Sequence, residues 1–233
     1  VNVNNAFGEF HRRHASVHAI TRHLPSFAGE LVLREVAELS AKPTKPFVLV
    51  MGGAKIDTKI GLLQQLGPRA DRILLGGGLA VTFLAAAEVE LPTYPAALMA
   101  ERDVATARKI IRQFGHKLVL PLDLIAKPKL HLVTDIGPET QDLFAKEIAQ
   151  AKTIIWNGPL GIIERADGMA GTLSAAKAMS KCGARVITGG GETVEFLEDH
   201  RLLRGFAHVS TGGGAMLAFL GGEHLPGLEA LRG

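Results

Sequence analysis

The sequence is poor in the residues that mark secreted proteins, membrane spans and base-stacking nucleic-acid binders. It contains one cysteine, one tryptophan and one tyrosine among 233 residues. The lone Cys182 permits no internal disulfide, so the chain is compatible with a reducing compartment. We therefore expect a cytoplasmic protein. The longest uncharged stretch, 73–87, is broken by three glycines and is shorter than the roughly 18 apolar residues of a bilayer span. We therefore expect no membrane partner.

Several common nucleotide and catalytic motifs are also missing. No GxxxxGK[ST] is present, which excludes a Walker P-loop. None of the three GGG clusters completes GxGxxG, because Val81, Val194 and Leu217 occupy the last position. No kinase HRD or DFG motif, no G-x-S-x-G and no zinc-ligand spacing occurs. These absences disfavour a nucleotide-dependent dehydrogenase.

The composition is that of a globular chain with an excess of glycine. Lys and Arg number 26 against 23 Asp and Glu, and the net charge of +3 suits an acidic small molecule without indicating nucleic acid. Glycine accounts for 27 residues, against an average share of roughly 7%. The glycines fall in short clusters after apolar runs, so they punctuate regular structure.

Apolar runs and helix-like segments alternate along most of the chain. Strands are predicted at 47–51, 72–75, 117–120, 152–156, 185–188 and 208–211. Helix-like segments are predicted at 57–67, 98–115, 138–151 and 171–183, with shorter ones after Glu192 and Gly214. This alternation predicts an α/β fold, a Rossmann-like parallel sheet with helices on both faces. Ligands bind such sheets beyond the carboxyl ends of the strands, where the glycine clusters fall.

The first 41 residues follow a different pattern. A short strand and a turn at Gly8 precede a basic cluster, which is either a solvated face or a cradle for phosphate or carboxylate. The cluster comprises His11, Arg12, Arg13 and His14. Residues 25–41 predict an amphipathic connecting helix whose apolar positions are Phe27, Leu31, Leu33, Val36 and Leu39.

The segment 48–60 predicts an anion site. A strand leads into Gly52 and Gly53, then into Lys55 in a loop and Lys59 in the first turn of a helix beginning near Asp57. Glycines let the backbone approach an oxyanion, and a helix start favours negative charge. One such turn alone would more often carry two solvated lysines, but the repetition of glycine clusters favours the anion site.

The sequence resembles the phosphoglycerate kinases over essentially its whole length. The resemblance is carried, in that family's order, by NNAFGEFHRRHAS, GGAKIDTKI, GGGLAVTFL, DIGPET, TIIWNGPLGIIE, Gly171 with Thr172, GGGET, STGGGAMLAFL and LPGLEAL. It implies two domains joined by a helix, one binding 3-phosphoglycerate and the other the adenine nucleotide with Mg²⁺. We expect residues 1–24 to end the first domain, 25–45 to form the hinge helix, 46–221 to bind nucleotide and 222–233 to form a tail. The chain is expected to begin inside a longer protein.

The resemblance also implies roles for individual residues. It places four residues beside the transferring phosphoryl group: Arg12, Lys55, Gly213 and Gly214. It implies that 3-phosphoglycerate is bound by Arg12, His11 and His14. It implies nucleotide binding by Gly53, Ala54, Lys59, Gly77, Gly78, Asn157, Pro159, Glu164, Gly190, Gly191, Glu192 and Thr193. Two positions depart from the family's usual Asp, namely Asn5 and Glu192. A glutamate still suits Mg²⁺, but its extra methylene shifts the carboxylate by about an ångström.

Two functions remain open at this point. The first is reversible phosphoryl transfer between ATP and 3-phosphoglycerate, giving 1,3-bisphosphoglycerate and ADP. The second is an ATP- or ADP-binding module that catalyses nothing by itself. A nucleic-acid binder has little support because aromatic residues for base stacking are scarce. The resemblance implies a monomer.

Overall fold

The computed structural model describes residues 1–54, 56–91 and 100–232. Strands are β1 Asn2–Asn4, β2 Ser26–Ala28, β3 Phe47–Met51, β4 Arg72–Leu75, β5 Leu118–Val119, β6 Leu124–Lys127, β7 Leu132–Ile136, β8 Thr153–Asn157, β9 Arg185–Gly189 and β10 His208–Ser210. Helices are α1 Glu30–Ser40, α2 Ile60–Leu66, α3 Gly77–Ala86, α4 Glu101–Phe114, α5 Pro138–Gln150, α6 Ala170–Lys181, α7 Gly191–Asp199, α8 Gly213–Leu220 and α9 Pro226–Glu229. Within these described ranges, no helix is both long and apolar enough to cross a membrane.

Six of the strands form the main sheet, in the order β10-β9-β8-β3-β4-β5, and every neighbouring pair is parallel. All six predicted strands are present, and their boundaries differ from the prediction by no more than a residue or two. Parallel neighbours require crossover connections, which the helices between the strands supply. The predicted parallel α/β sheet is therefore confirmed.

Alternate residues of the central strands pack into two separate hydrophobic cores. In β3, Phe47, Leu49 and Met51 pack into one core, whereas Val48 and Val50 pack into the other. Side chains of α1, α2, α3, α4 and α8 complete the first core. Side chains of α5, α6 and α7 complete the second. The three-layer arrangement follows because successive side chains of a strand point to opposite faces.

The helix predicted over residues 25–41 is wrong at its start. Residues Ser26–Ala28 instead form β2, which pairs in parallel with β1, and α1 begins at Glu30. The Asn5 side chain accepts a hydrogen bond from the backbone N–H of Leu31 at 2.9 Å and satisfies a donor in the first turn of α1. The predicted apolar stripe also fails at Leu33, which is 60% exposed.

Other departures lie beside the glycine clusters. The predicted helix at 57–67 begins only at Ile60, so Lys59 precedes the first turn of α2. No helix was predicted between residues 75 and 98, but Gly77–Ala86 form α3, which begins with two glycines although glycine disfavours helices. The antiparallel hairpin of β6 and β7 was also missed, since its strands are short and half-buried. Helix α4 begins at Glu101, and the predicted start at residue 98 lies outside the described residues.

The two ends of the chain pack together against the main body. The backbone N–H of Gly227 donates to the carbonyl of Phe10 at 3.0 Å, and a Cβ at Gly227 would meet the Phe10 ring. Phe7, Phe10 and Leu225 are buried in the core that also holds α8. The domain boundaries at residues 24, 45 and 221 stay a prediction.

A buried ionic network joins α1 to the loop after β10. Glu35 is fully buried; its Oε2 lies 2.8 Å from Nε2 of His208, and its Oε1 accepts from the N–H and hydroxyl of Thr211 at 2.7 and 2.8 Å. Burial alone would raise the pKa of Glu35, but the hydrogen bonds from His208 and Thr211 outweigh burial and hold the pKa below its ordinary value. Charge on Glu35 therefore stabilises the junction.

Replacing Glu35 should destabilise the fold in a pH-dependent way. Because its pKa is lowered in the folded state, its contribution is present above the ordinary glutamate pKa and is lost as the pH falls through the lowered value. We expect Glu35→Gln to cost about 3 kcal/mol at neutral pH, and to cost less in acid, as measured by urea unfolding. Glu30→Gln, on the exposed first turn of the same helix, should change stability by about 0.5 kcal/mol or less. Equal losses in the two variants would contradict the assignment.

Candidate functional site

The register of the sheet brings five strand ends to one edge. Met51 at the end of β3 pairs with Leu75 of β4 and Asn157 of β8. Asn157 pairs with Gly189 of β9, which pairs with Ser210 of β10. Because the strands are parallel and in step, the glycine-rich turns that follow them meet at the same edge. The glycine clusters therefore converge beyond the carboxyl ends of the strands, the edge at which ligands bind such sheets.

Close backbone packing joins three of these turns. The N–H of Gly53 donates to the carbonyl of Pro159 at 2.8 Å, and the N–H of Gly77 donates to the carbonyl of Leu160 at 2.7 Å. A Cβ at Gly52 would lie 1.9 Å from the carbonyl oxygen of Pro159. Glycine is required at this position because backbone occupies the space that a side chain would need.

The first cavity at this edge, which we call the slot, measures about 210 Å³. Its walls are mostly backbone and aliphatic side chains, and a carboxylate from Glu164 stands at its exposed rim. A narrow space with few side chains suits a flat apolar ring with polar edges. The slot is lined by Gly53, Ala54, Gly77, Gly78, Leu124, Val133, Thr134, Asp135, Pro159, Leu160, Gly161, Ile162, Glu164 and Glu192.

The second cavity, which we call the basin, adjoins the slot and measures about 570 Å³. Helices α7 and α8 both begin at its wall, so two sets of free backbone N–H groups face it. Together with Lys59 they make the basin a site for anions. It is lined by Gly53, Ala54, Thr58, Lys59, Asn157, Gly158, Pro159, Gly190, Gly191, Glu192, Thr193, Gly213, Gly214 and Leu217.

Lys59 is the buried cation of the basin. Its side chain is 7% exposed and its Nζ donates to Oδ1 of Asn157, whose Nδ2 donates in turn to the carbonyl of Gly189 at 2.8 Å. Burial lowers the pKa of Lys59 to about 8, and the negative charge of Glu192 acts in the opposite direction. The lysine therefore remains mostly charged at neutral pH, and a bound anion would favour that charge further.

The start of α7 offers a further hydrogen-bond donor. Oγ1 of Thr193 is buried and has no hydrogen-bond partner among the residues that the structure describes. Gly190, which precedes the helix, has a φ of +110°, a conformation that other residues rarely adopt. An unpaired buried hydroxyl at a cavity wall is costly unless a ligand satisfies it.

Glu192 reaches both cavities and is exposed. Over the described part of the chain, no cluster of three or more His, Cys, Asp or Glu side chains could hold a metal ion unaided. A single carboxylate nevertheless fits Mg²⁺ delivered with phosphates, because that ion is commonly held by one or two carboxylates together with phosphate oxygens and water.

The residues of the basic cluster lie in two different places. A Cβ at Gly214 would lie 3.0 Å from Nε2 of His11, so His11 reaches the first turn of α8 at the basin. The carboxylate of Glu9 instead accepts from Arg12 at 3.4 Å and lies 3.2 Å from Nδ1 of His14. Arg12 and His14 are both at least half exposed and line neither the slot nor the basin. Lys55 lies outside the described residues.

Residues missed by the sequence analysis form the outer wall of the slot. The hairpin of β6 and β7 contributes Leu124, Val133, Thr134 and Asp135 to it. Thr134 and Asp135 are buried, although the second is ionisable. The signal that could have found them was the DIGPET run, in which an aspartate lies next to the end of a strand and three residues before the helix-starting Pro138.

Comparison with known proteins decides the family. The family model described as phosphoglycerate kinase matches residues 1–223. The chain belongs to the phosphoglycerate kinase family. It is 39% identical to the phosphoglycerate kinase of Salinispora arenicola and 40% identical to that of Thermomicrobium roseum, over 98% of this chain in both cases. The chain spans 62% and 64% of the length of these two relatives.

Solved structures of the family share the fold. The phosphoglycerate kinase of Coxiella burnetii superposes with a TM-score of 0.87 at 35% identity, over 99% of this chain and 64% of that one. The enzyme of Pyrococcus horikoshii superposes with a TM-score of 0.88 at 30% identity, over 99% of this chain and 63% of that one. The kinase fold therefore accounts for nearly all of the present chain, whereas the present chain accounts for less than two thirds of either kinase.

The backbone conformation of Gly190 gives a prediction with a neighbouring control. Gly190→Ala should destabilise the chain by about 1–3 kcal/mol, because an alanine is strained at a φ of +110°. Gly191→Ala should be close to neutral, because a Cβ there meets nothing within 4 Å and the backbone is not in the left-handed region. Urea unfolding of both variants measures the difference. Equal stability of the two would show that the turn before α7 relaxes freely.

Proposed function

We propose that this chain binds ADP or ATP with Mg²⁺ across the slot and the basin, as the nucleotide-binding part of a phosphoglycerate kinase. The observation that carries the proposal is the adjacency of the cavities. The narrow apolar slot and the cationic basin share Gly53, Ala54, Pro159 and Glu192. A molecule with a flat ring at one end and phosphates at the other matches both chemistries at once.

The base end would enter the slot. Gly77 and Gly78 leave one wall without side chains, and the hairpin of β6 and β7 forms the outer wall. Glu164, exposed at the rim, would accept hydrogen bonds from ribose hydroxyls. These contacts would fix the orientation of the nucleoside before the phosphates meet the basin.

The phosphate end would occupy the basin. Lys59 supplies a buried positive charge, and the starts of α7 and α8 supply backbone N–H groups. Thr193 supplies a hydroxyl that has no hydrogen-bond partner within the described part of the chain. Glu192 would hold Mg²⁺ together with the phosphate oxygens, and the ion would neutralise charge on the transferring group. The roles assigned to Gly190, Gly191, Gly213 and Gly214 are of this kind, as backbone donors.

The reaction of the complete protein would be reversible phosphoryl transfer. An oxygen of the 3-phosphoglycerate carboxylate attacks the terminal phosphorus of ATP, the bond to the bridging oxygen breaks, and ADP leaves with 1,3-bisphosphoglycerate formed. His11, next to Gly214, would bring the substrate side to the start of α8, with Arg12 and His14 near it. Lys55 and Arg12 would stabilise charge on the group in transfer. Exclusion of water during the step requires closure around both substrates.

A second candidate is an isolated nucleotide-binding module. The observation that favours it is that Arg12 and His14, which the resemblance places on 3-phosphoglycerate, line neither the slot nor the basin. Calorimetric titration with MgADP and then 3-phosphoglycerate, together with a coupled kinase assay, separates the two. Nucleotide binding without turnover supports the module, whereas turnover supports a complete enzyme. Absence of nucleotide binding overturns both. A cytoplasmic monomer remains our expectation in either case.

Replacement of Lys59 should weaken binding of the nucleotide phosphates and leave binding of the nucleoside unchanged. We expect Lys59→Ala to weaken ATP by on the order of 10- to 100-fold and to leave adenosine little changed, because the lost contact is a charged hydrogen bond to phosphate. Lys109→Ala, at an exposed position on α4, is the control and should alter neither. Calorimetry with both ligands measures the effect. An equal loss for ATP and adenosine would place Lys59 outside the phosphate site.

Glu192 should set the magnesium dependence of nucleotide affinity. Glu192→Gln removes the carboxylate charge at nearly constant shape, so we expect the gain in ADP affinity on adding Mg²⁺ to shrink by several-fold, on the order of one charged contact. Glu195→Gln, exposed on the same helix and outside both cavities, should keep the full gain. ADP titrations with and without Mg²⁺ measure it. An unchanged magnesium dependence in Glu192→Gln would remove this residue from the metal site.

A further inference from the structure

Asp135 is a buried carboxylate in the wall of the slot. It stands near the end of β7 and is 2% exposed. Its Oδ2 accepts the backbone N–H of Gly171 at 2.7 Å, in the first turn of α6, and its Oδ1 accepts the N–H of Ile136 at 2.9 Å. The carboxylate thus caps the start of α6 from another element, where the free N–H groups of a helix favour negative charge.

The same carboxylate lies against the turn that follows β8. A Cβ at Gly161 or at Gly171 would lie 2.4 Å from Oδ1 of Asp135, so both backbones contact it directly. The neighbouring carbonyl of Thr134 accepts from the N–H of Ile162 at 2.8 Å. One side chain and its strand therefore hold the turn and the helix start in place.

These contacts continue to the opposite wall of the slot. The hydroxyl of Thr172, next to Gly171 in α6, accepts from the N–H of Leu160 at 3.0 Å. The carbonyl of Leu160 accepts from the N–H of Gly77 at 2.7 Å, at the start of α3. A chain of hydrogen bonds thus runs from Asp135 through α6 and the turn to the glycine wall. A shift at Asp135 would reach both sides of the slot.

No cation is paired with Asp135 among the described residues. The charged groups on the hairpin, on the turns that meet it and around the slot have other partners or are exposed. Lys127 and Arg165 pair with Asp167, Asp123 caps α5, and Glu164 and Glu192 lie elsewhere on the slot. Burial raises the pKa of Asp135 to about 6, although backbone N–H groups of Gly171, Ile136 and Ala170 favour the charged form.

We propose that Asp135 is a positioning residue for the base end of the nucleotide site, whose negative charge holds the two walls of the slot at the separation that a nucleoside needs. The inference rests on the proposed nucleotide binding and concerns the same site. Loss of the charge weakens the backbone contacts to α6 and the turn, and the slot loosens. We expect the phosphate-binding groups of the basin to keep their places, because Lys59 donates to Asn157 and Asn157 donates to Gly189, which are the last residues of β8 and β9.

The test compares two aspartates that cap helices in the same way. Asp123 accepts the N–H groups of Glu139 and Thr140 at 3.1 and 2.8 Å at the start of α5, but it lines neither cavity. The full chain and its variants Asp135→Asn and Asp123→Asn are titrated calorimetrically with adenosine, inorganic pyrophosphate and MgADP. The titrations are made at about pH 7 and about pH 5, on either side of the Asp135 pKa of about 6.

We expect Asp135→Asn to weaken adenosine and MgADP by about tenfold at pH 7 and to leave pyrophosphate unchanged, whereas Asp123→Asn changes none of the three. Since the carboxylate is protonated below its pKa, the adenosine affinity of the wild type should fall between pH 7 and pH 5, while that of Asp135→Asn stays flat. Unchanged adenosine affinity in Asp135→Asn, or equal loss of adenosine and pyrophosphate, overturns the inference and leaves nucleotide binding intact. Failure of the wild type to bind MgADP overturns the proposed function and, with it, this inference.

Discussion

The candidate site depends on backbone packed against backbone at the carboxyl edge of a parallel sheet. Gly52 and the carbonyl of Pro159 meet at a distance that leaves no room for a side chain. The N–H groups of Gly53 and Gly77 close the same junction. Because peptide groups rather than flexible side chains form these walls, the slot is rigid and narrow, and the charged groups can be placed around a fixed frame.

Charge is distributed unevenly over that frame. Among the described residues, the slot is lined by the exposed carboxylates of Glu164 and Glu192 and by the buried carboxylate of Asp135. The basin shares Glu192 and adds Lys59 and two helix starts. Burial lowers the pKa of Lys59 and raises the pKa of Asp135, because burial disfavours the charged form of each side chain. Both side chains are held by hydrogen bonds to amide groups. Ligand selection therefore follows from shape at one end and from electrostatics at the other.

The junction between α1 and the loop after β10 ties the N-terminal segment to the wall of the basin. Glu35 holds Thr211, and the next residues begin α8 beside His11. Arg185 adds a second link, donating to the carbonyl of Glu38 at 2.9 Å and pairing with its carboxylate. A change in the position of α1 would therefore shift the start of α8. Motions that close domains around a ligand need coupling of this kind.

The sequence by itself determined the parallel sheet and five glycine-rich strand ends, because apolar periodicity and glycine position are local properties of the chain. The ordered motifs of the sequence carried the resemblance to the family. It was wrong about the start of α1, where Asn5 caps the helix from 26 residues away. It missed α3 and the hairpin of β6 and β7. Only the tertiary structure showed that Asp135 is buried at the slot, that His11 rather than Arg12 reaches α8, and that Lys59 bonds to Asn157. Burial, capping at a distance and pKa depend on contacts between remote segments, and those contacts exist only once the chain has folded.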